Sequence, residues 1–333
     1  MRIIVYGAGA VGSVIGGYLH DAGHKTILVC SKANTEAISK NGLQIFGIKG
    51  DFTIKLPVVN TIEAVDFKED DIIFLTMKTF DTKAAIEKIS KSAYGLKTVC
   101  FQNAVRNEAL AAEKFDSVYG GIVFFGAKYL EPGIITHVAE NSLGIGVYPE
   151  GVDEFVETLC EILTGAGFSA TPYPNIMAVK WSKLFRNLSN ALFGITGISL
   201  LEGLKYEVPR MMMANILEEA QQVVDAEGIE IVPLAGQQPV DKMISSLRKP
   251  GNRDFEISGD EKMMLRPSTW QDLYLKRGRT EVDYLNGEIV RIGEENGMKT
   301  PYNSLMVKIV SQMAEEGIQP GVYTVEQLNE MIK

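Results

Sequence analysis

Histidine and cysteine are scarce in this chain, three of each in 333 residues. None of His20, His24 and His137 stands in a recognisable zinc motif with acidic ligands, so no metal centre is expected. Cys30, Cys100 and Cys160 are far apart, each in an apolar run without CxxC spacing, and read as buried reduced thiols of a cytoplasmic protein. Positive charge is also short: 33 Lys and Arg stand against 42 Asp and Glu, a net charge of −9. That balance disfavours a nucleic-acid backbone or an anionic membrane as partner. No apolar run approaches the 18 residues of a membrane-spanning helix, and the chain enters its first strand without a basic leader, so neither membrane insertion nor export is expected. With 46% hydrophobic and 23% charged residues the composition is that of a soluble protein, and the length suggests two domains.

What is present begins at once. Arg2 to Tyr6 reads as a buried strand, and Gly7-Ala8-Gly9-Ala10-Val11-Gly12 opens an apolar helix through Ile15, Tyr18 and Leu19. A GxGxxG between strand and helix is the dinucleotide-binding fingerprint in its proper context. Gly7 serves the tight turn, Gly9 lets the backbone approach a pyrophosphate, and Gly12 allows close packing of helix on sheet. The helix N-terminus then offers free N–H groups to the phosphates.

Thr26 to Cys30 reads as the second parallel strand, whose end handles the adenosine ribose in a Rossmann domain. An acid there would hold the ribose 2′-OH and repel a 2′-phosphate; here the residues are Cys30, Ser31 and Lys32. Ser31 and Lys32 can both donate to a phosphate, which favours NADP over NAD. The plainer alternative is a solvated Lys32 beginning the next helix, expected from about Thr35 to Lys40. Extended stretches are expected around Gln44 to Val59. Asp70 to Thr76 and Thr98 to Phe101 read as further strands, which place Lys78 and Gln102-Asn103 at the edge where such sheets bind ligands. Short extended segments follow over Tyr119 to Phe125, Ile134 to Val138 and Leu143 to Val147, then a helix over Glu154 to Leu163 and a last extended piece over Phe168 to Pro172.

Beyond that point the pattern turns helical. The fold class expected is α/β, an N-terminal Rossmann dinucleotide-binding domain over 1–172 followed by an all-helical C-terminal domain over 173–333, with the active site in the cleft between them. The polar stretch Leu247 to Lys262 reads as a mobile surface segment. At about 100° per residue, Trp181, Leu184, Phe185, Leu188 and Leu192 share one helix face, while Lys183, Asn187 and Asn190 align on the other. Asparagine is a weak helix former, so two of them in line with a lysine are an odd way to make a solvated face. Glu281 lies at the edge of an apolar arc made by Val282, Leu285, Ile289 and Ile292, where a carboxylate is costly unless paired; an acid favouring a helix dipole is the plainer reading.

The ordered set resembles the ketopantoate reductase family across nearly the whole chain. It comprises the GxGxxG, Thr76-Met77-Lys78, Gln102-Asn103, Lys180-Trp181-Ser182-Lys183-Leu184 with Asn187, and Pro267-Ser268 leading to Arg279-Thr280-Glu281-Val282-Asp283-Tyr284-Leu285-Asn286-Gly287. The resemblance implies NADPH-dependent reduction of 2-dehydropantoate to pantoate, on the route to pantothenate and coenzyme A. Lys183 matches the family's catalytic lysine, which protonates or polarises the ketone oxygen, and Glu281 the acid that anchors the substrate hydroxyl or orders the lysine. Asn187 and Ser268 match substrate-binding positions, and Lys78 and Asn103 match residues where cofactor and substrate meet; Asn190 is counted with the substrate group. Three departures touch the pocket: Ala104 and Arg106 stand where glycines are usual, Ala191 stands where a second Asn is usual, and the spacing from Asp272 to Glu281 is one residue longer. The open alternatives are a related NADP-dependent reductase of another 2-oxo acid, and a non-catalytic NADPH-binding sensor. Monomer and homodimer are both compatible with such a helical domain.

Overall fold

The computed structural model describes residues 1–93, 95–234, 238–257 and 266–332. It separates into two compact units, Met1–Lys180 and Trp181–Lys333.

In the first unit the fingerprint strand β1 (Arg2–Tyr6) lies between β2 (Thr26–Val29) and β6 (Asp71–Leu75), parallel to both, with Ile4 opposite Ile27 and Ile73. β5 (Val58–Val59) flanks β2, while β7 (Lys97–Cys100), β8 (Val118–Val123), β11 (Ser142–Val147) and β12 (Ser169–Pro172) continue beyond β6. The sheet order is therefore β12-β11-β8-β7-β6-β1-β2-β5, with β11 antiparallel to β8. The order reverses at β1, and ligands of such sheets bind outside the strand ends at the reversal. Strand alternation divides the core. Ile3 and Val5 face one apolar cluster with Val14, Ile15 and Leu19 of helix α1 (Ala10–Asp21). Ile4 and Ile73 face the other, with Ile86 and Ile89 of helix α3 (Thr82–Ile89).

The sequence did not foreshadow a second sheet. β3 (Leu43–Gly47), β4 (Phe52–Ile54), β9 (Gly126–Glu131) and β10 (Ile134–Ala139) assemble in the order β4-β3-β10-β9. β9 was not separable in the sequence from the loop before it, because Gly126-Ala127-Lys128 carries no alternation. Helix α2 (Lys32–Asn41) is longer than the expected Thr35 to Lys40, because Ser31 acts as its N-cap and accepts the Asn34 N–H at 3.4 Å. Helices α4 (Asn107–Ala112) and α5 (Glu154–Gly165) complete the unit.

Helix α6 (Ile176–Leu188) runs from the first unit into the second. Near the end of the first unit the early turns of α6 are held by Lys180, whose ammonium donates to the Cys100 and Gln102 carbonyls. The second unit continues with α7 (Asn190–Thr196), α8 (Leu200–Lys205), α9 (Glu207–Glu227), α10 (Val240–Leu247), α11 (Ser268–Tyr274), α12 (Asn286–Glu295), α13 (Pro301–Glu316) and α14 (Val325–Ile332). α9 is its axis, packing on α8, α10, α12, α13 and α14. The fully buried Arg210 of α9 donates to the carbonyls of Leu204, Lys205, Leu247, Lys249 and Gly251. The start of the polar stretch expected to be mobile is thus tied down; 248–257 holds no helix or strand, and 258–262 lie outside the described residues. No described helix is long and apolar enough to cross a membrane.

In the first unit a polar network joins α1 to the second sheet. His137, fully buried, meets the Glu140 carbonyl through Nε2 at 2.9 Å, so that nitrogen carries the proton and Nδ1 accepts from the Tyr18 hydroxyl at 3.0 Å. Burial pushes the Tyr18 phenol up to about 12, which keeps it a donor, and pushes the His137 imidazolium below its ordinary value, with nearby Lys49 adding to the effect. A folded-state pKa below the unfolded value of about 6.5 means that the folded protein binds fewer protons in mild acid. The stabilisation is complete above pH ~6.5 and is lost as pH falls through the folded value. Thermal melts should therefore show wild type losing more stability between pH 7 and pH 5 than His137→Gln does; parallel pH profiles would refute the assignment.

Candidate functional site

The first candidate surface forms at the carboxyl edge of β1, β2, β6 and β7. Gly7 leaves β1 with φ +91°, a left-handed conformation that a side chain disfavours. A Cβ there would also run into the Met77 backbone, and one on Gly12 would strike the Thr76 hydroxyl. Thr76 uses that hydroxyl to donate to the carbonyls of Tyr6 and Gly7, both at 3.1 Å, so β6 braces the loop. At Gly9, by contrast, the nearest atom to an added Cβ is the Gly7 carbonyl oxygen at 3.8 Å, so the space above this residue is open.

Gly9 is also the N-cap of α1, and no side chain among the described residues caps that helix. Its first N–H groups, together with the partial positive charge of the helix end, suit a pyrophosphate. The loop from Gly7 through Ala8, Gly9, Ala10 and Val11 to Gly12 therefore fits a dinucleotide. A cleft of about 310 Å³ opens beside it, lined by Gly7, Cys30, Ser31, Thr61, Asp81 and Lys88 among others. Ser31 is exposed and lines this cleft. Lys32 is not among the lining residues; its ammonium lies in solvent 3.9 Å from Glu36 on the next turn. Lys88 brings a cation to the same cleft from the far end of α3, with nothing in the local sequence to distinguish it from an ordinary helix lysine.

Asn34 is a second residue that the sequence did not disclose. It is buried, and its amide nitrogen donates to the Ala8 carbonyl at 3.0 Å while its oxygen accepts from Tyr129 and from the Gly133 N–H. One side chain thus ties the glycine loop to the β9–β10 hairpin. Asn34 precedes the helix expected from about Thr35, and its partners at 129 and 133 are nearly a hundred residues away.

Lys78 is half-buried in the turn that follows β6, after Thr76 and Met77. Asn103, also half-buried, follows β7, and its carbonyl accepts from the Thr79 hydroxyl at 3.0 Å and the Asn107 amide at 2.6 Å. Gln102 donates to the Thr82 hydroxyl, which in turn donates to Asn107. The next residue, Ala104, is buried with φ +68°. Arg106 is exposed.

In the second unit, the apolar face read from the sequence is buried: Trp181 8%, Leu184 1%, Phe185 1%, Leu188 0% and Leu192 0% exposed. Lys183, Asn187 and Asn190 are all half-buried, and the Asn190 amide lies 3.4 Å from the Asn187 oxygen. They do not share one helix, because Ser189 separates α6 from α7 and Asn190 opens the latter. Ala191, in place of a second asparagine, is buried. Ser268 is half-buried at the first position of α11. Glu281 is buried, and precedes a 3-10 turn, Val282–Tyr284, rather than a continuous helix; α12 starts only at Asn286. Val282, Leu285, Ile289 and Ile292 are nonetheless buried together with it.

Ala104 generates a direct test. A left-handed L-residue costs roughly 1–2 kcal/mol, and the greater freedom of glycine in the unfolded chain returns about 0.5–1 kcal/mol of that. Ala104→Gly should accordingly stabilise the protein by about 0.5–1 kcal/mol, read as a raised urea midpoint. An unchanged or lowered midpoint would show that the surroundings already absorb the strain.

Comparison with known proteins places nearly the whole chain in one family. Residues 3–150 match the family described as Ketopantoate reductase PanE/ApbA, and residues 175–314 its C-terminal domain. The 2-dehydropantoate 2-reductase of Archaeoglobus fulgidus is 31% identical over 323 residues, 96% of this chain and 99% of that protein. The Pyrococcus abyssi enzyme of the same name is 30% identical over 314 residues, covering 92% and 95%. A crystal structure of a PanE/ApbA family ketopantoate reductase from Ralstonia eutropha superposes with a TM-score of 0.81 at 26% identity, covering 95% of this chain and 99% of that one. D-mandelate dehydrogenase, solved with NADH and anilino(oxo)acetate, gives the same TM-score, identity and coverage. On the two domain matches and the full-length relatives, this chain belongs to the ketopantoate reductase family of NADP-dependent oxidoreductases.

Proposed function

We propose that the protein reduces the C2 ketone of 2-dehydropantoate to pantoate, in pantothenate and coenzyme A biosynthesis, with NADPH as reductant. The observation that carries this reading is that Lys183 and Asn187 of α6 and Asn190 at the start of α7 are all half-buried on the second unit, while Trp181, Leu184, Phe185, Leu188 and Leu192 are buried. Polar side chains that served only solubility would be fully exposed.

When bound, NADPH supplies the hydride. The protein's own groups bind, orient and neutralise. The Gly7–Gly12 loop holds the pyrophosphate, and Ser31 and Lys32 hold the 2′-phosphate, for which Lys32 swings from its place beside Glu36. Lys78 and Asn103 meet the nicotinamide end. Asn103, Asn187, Asn190 and Ser268 hold the substrate, with Ser268 facing its carboxylate. Negative charge builds on the ketone oxygen as hydride arrives at carbon, and the Lys183 ammonium stabilises that charge and then donates its proton. Glu281, buried as it is, holds the substrate hydroxyl or orders the lysine.

A second reading has specific support. Ala104 and Arg106 change the loop after Asn103, and D-mandelate dehydrogenase is as similar in fold as the Ralstonia eutropha reductase. The substrate would then be another 2-oxo acid, with Arg106 as a further cation for its carboxylate. A panel at fixed NADPH decides between them. The first reading expects 2-dehydropantoate to be reduced with the highest kcat/KM, and it fails if 2-dehydropantoate is turned over no faster than pyruvate or 2-oxoglutarate, or if D-mandelate oxidation with NAD⁺ is faster. NADPH binding without oxidation across the panel would leave only a sensor. Lys183→Ala should lower kcat by orders of magnitude while NADPH affinity and the melting temperature persist; loss of folding would make the lysine structural instead.

A further inference from the structure

Lys180 and Glu108 form a buried ion pair that the reaction scheme above does not use. Their side chains are 3% and 0% exposed, and the ammonium donates to Glu108 Oε1. Its two remaining protons go to the Cys100 and Gln102 carbonyls, each at 3.2 Å. All three donors of the lysine are therefore committed, and none is left to serve a substrate. Burial pushes the Glu108 carboxyl up, and Lys180 beside it pulls it back.

The two carbonyls are the last of β7 and the one just before Asn103. Asn103's own carbonyl is held by the Thr79 hydroxyl and the Asn107 amide. Asn107 and Glu108 are adjacent in α4, so one short helix sends one side chain to the loop and the next to the lysine behind it. The loop's backbone is thus gripped at residues 100, 102 and 103 by side-chain donors, one of them a full charge in a region that excludes water. Hydrogen bonds from a charged donor are shorter and roughly twice as strong as neutral ones. Such a grip limits the small rotations by which a strand end would swing a side chain away from a reacting centre.

We propose that Lys180 and Glu108 act as a positioning pair for Asn103, the ammonium clamping the end of β7 so that the Asn103 amide is presented in one orientation to the nicotinamide and the substrate. The inference rests on the reading that Asn103 meets them. Lys180 is then distinct in role from Lys183 one turn later on α6: the first holds backbone, the second moves a proton.

Truncating either side chain alone leaves the other buried without a hydrogen-bond partner and endangers folding, whereas Glu108→Gln still offers the ammonium an acceptor. The test therefore uses the double variant Lys180→Met with Glu108→Leu, beside Glu108→Gln, which keeps the donors of Lys180 on both carbonyls, and Asn103→Ala. Each is measured for melting temperature, NADPH dissociation constant, and kcat and KM with 2-dehydropantoate. Positional errors of an ångström cost up to about 100-fold in rate. The expected result for the double variant is NADPH affinity within about threefold of wild type and kcat lowered about 10- to 100-fold, at a temperature where it is fully folded. Glu108→Gln should show a smaller fall in kcat in the same direction. A native kcat in the double variant, whatever its melting temperature, overturns the proposal, and so does a native kcat in Glu108→Gln if the double variant fails to fold. If Asn103→Ala is impaired while the pair variants are not, only this inference fails. If Asn103→Ala turns over at the native rate, the reading of Asn103 itself is wrong and the inference falls with it.

Discussion

Everything on the ligand-binding edge depends on how closely α1 can approach the sheet. Gly12 lies where any side chain would meet Thr76, and Gly7 takes a left-handed turn against the Met77 backbone. With those contacts made, the helix N-terminus is aimed outward from the reversal point of the strand order, and its unsatisfied N–H groups become a preformed anion site. Thr76 then uses its hydroxyl to brace the loop it touches. Close packing and phosphate recognition are thus one geometric fact. A larger residue at position 12 would lift the helix and lose both.

The second theme is the treatment of carbonyls at strand and helix ends. The Ala8 carbonyl takes Asn34 and Ser13, the Asn103 carbonyl takes Thr79 and Asn107, and the Cys100 and Gln102 carbonyls take Lys180. Arg210 does the same for five carbonyls in the helical unit. Buried main-chain oxygens need partners, and leaving them unpaired costs about 1–3 kcal/mol each. Here buried polar and charged side chains supply what regular secondary structure does not. Loops that carry candidate site residues are stiffened in the process, at the positions where strain such as that of Ala104 is stored.

Much of this could be read in advance. A strand, a GxGxxG and a helix in succession carry a steric argument that needs no neighbours, and the period of Trp181, Leu184, Phe185, Leu188 and Leu192 requires one buried face wherever the helix packs. Less legible were the features that need distant partners. Asn34 and Glu108 look like ordinary polar helix residues, and only the fold brings Gly133 to one and Lys180 to the other. The second sheet was hidden because β3 and β10 are nearly ninety residues apart and pair in parallel. Lys32 looked well placed by position along the chain, yet its side chain lies beside Glu36.

The order of residues alone determined that a nucleotide-binding strand and helix begin the chain, that a helical half follows, and that Lys183 and Asn187 lie on the side of one helix away from its apolar face. Those conclusions follow from sterics and periodicity, which act within a few residues. Tertiary structure decided which polar groups are buried and which carbonyls they hold. Each of those outcomes depends on desolvation and on hydrogen bonds between segments many tens of residues apart, and no local pattern encodes them.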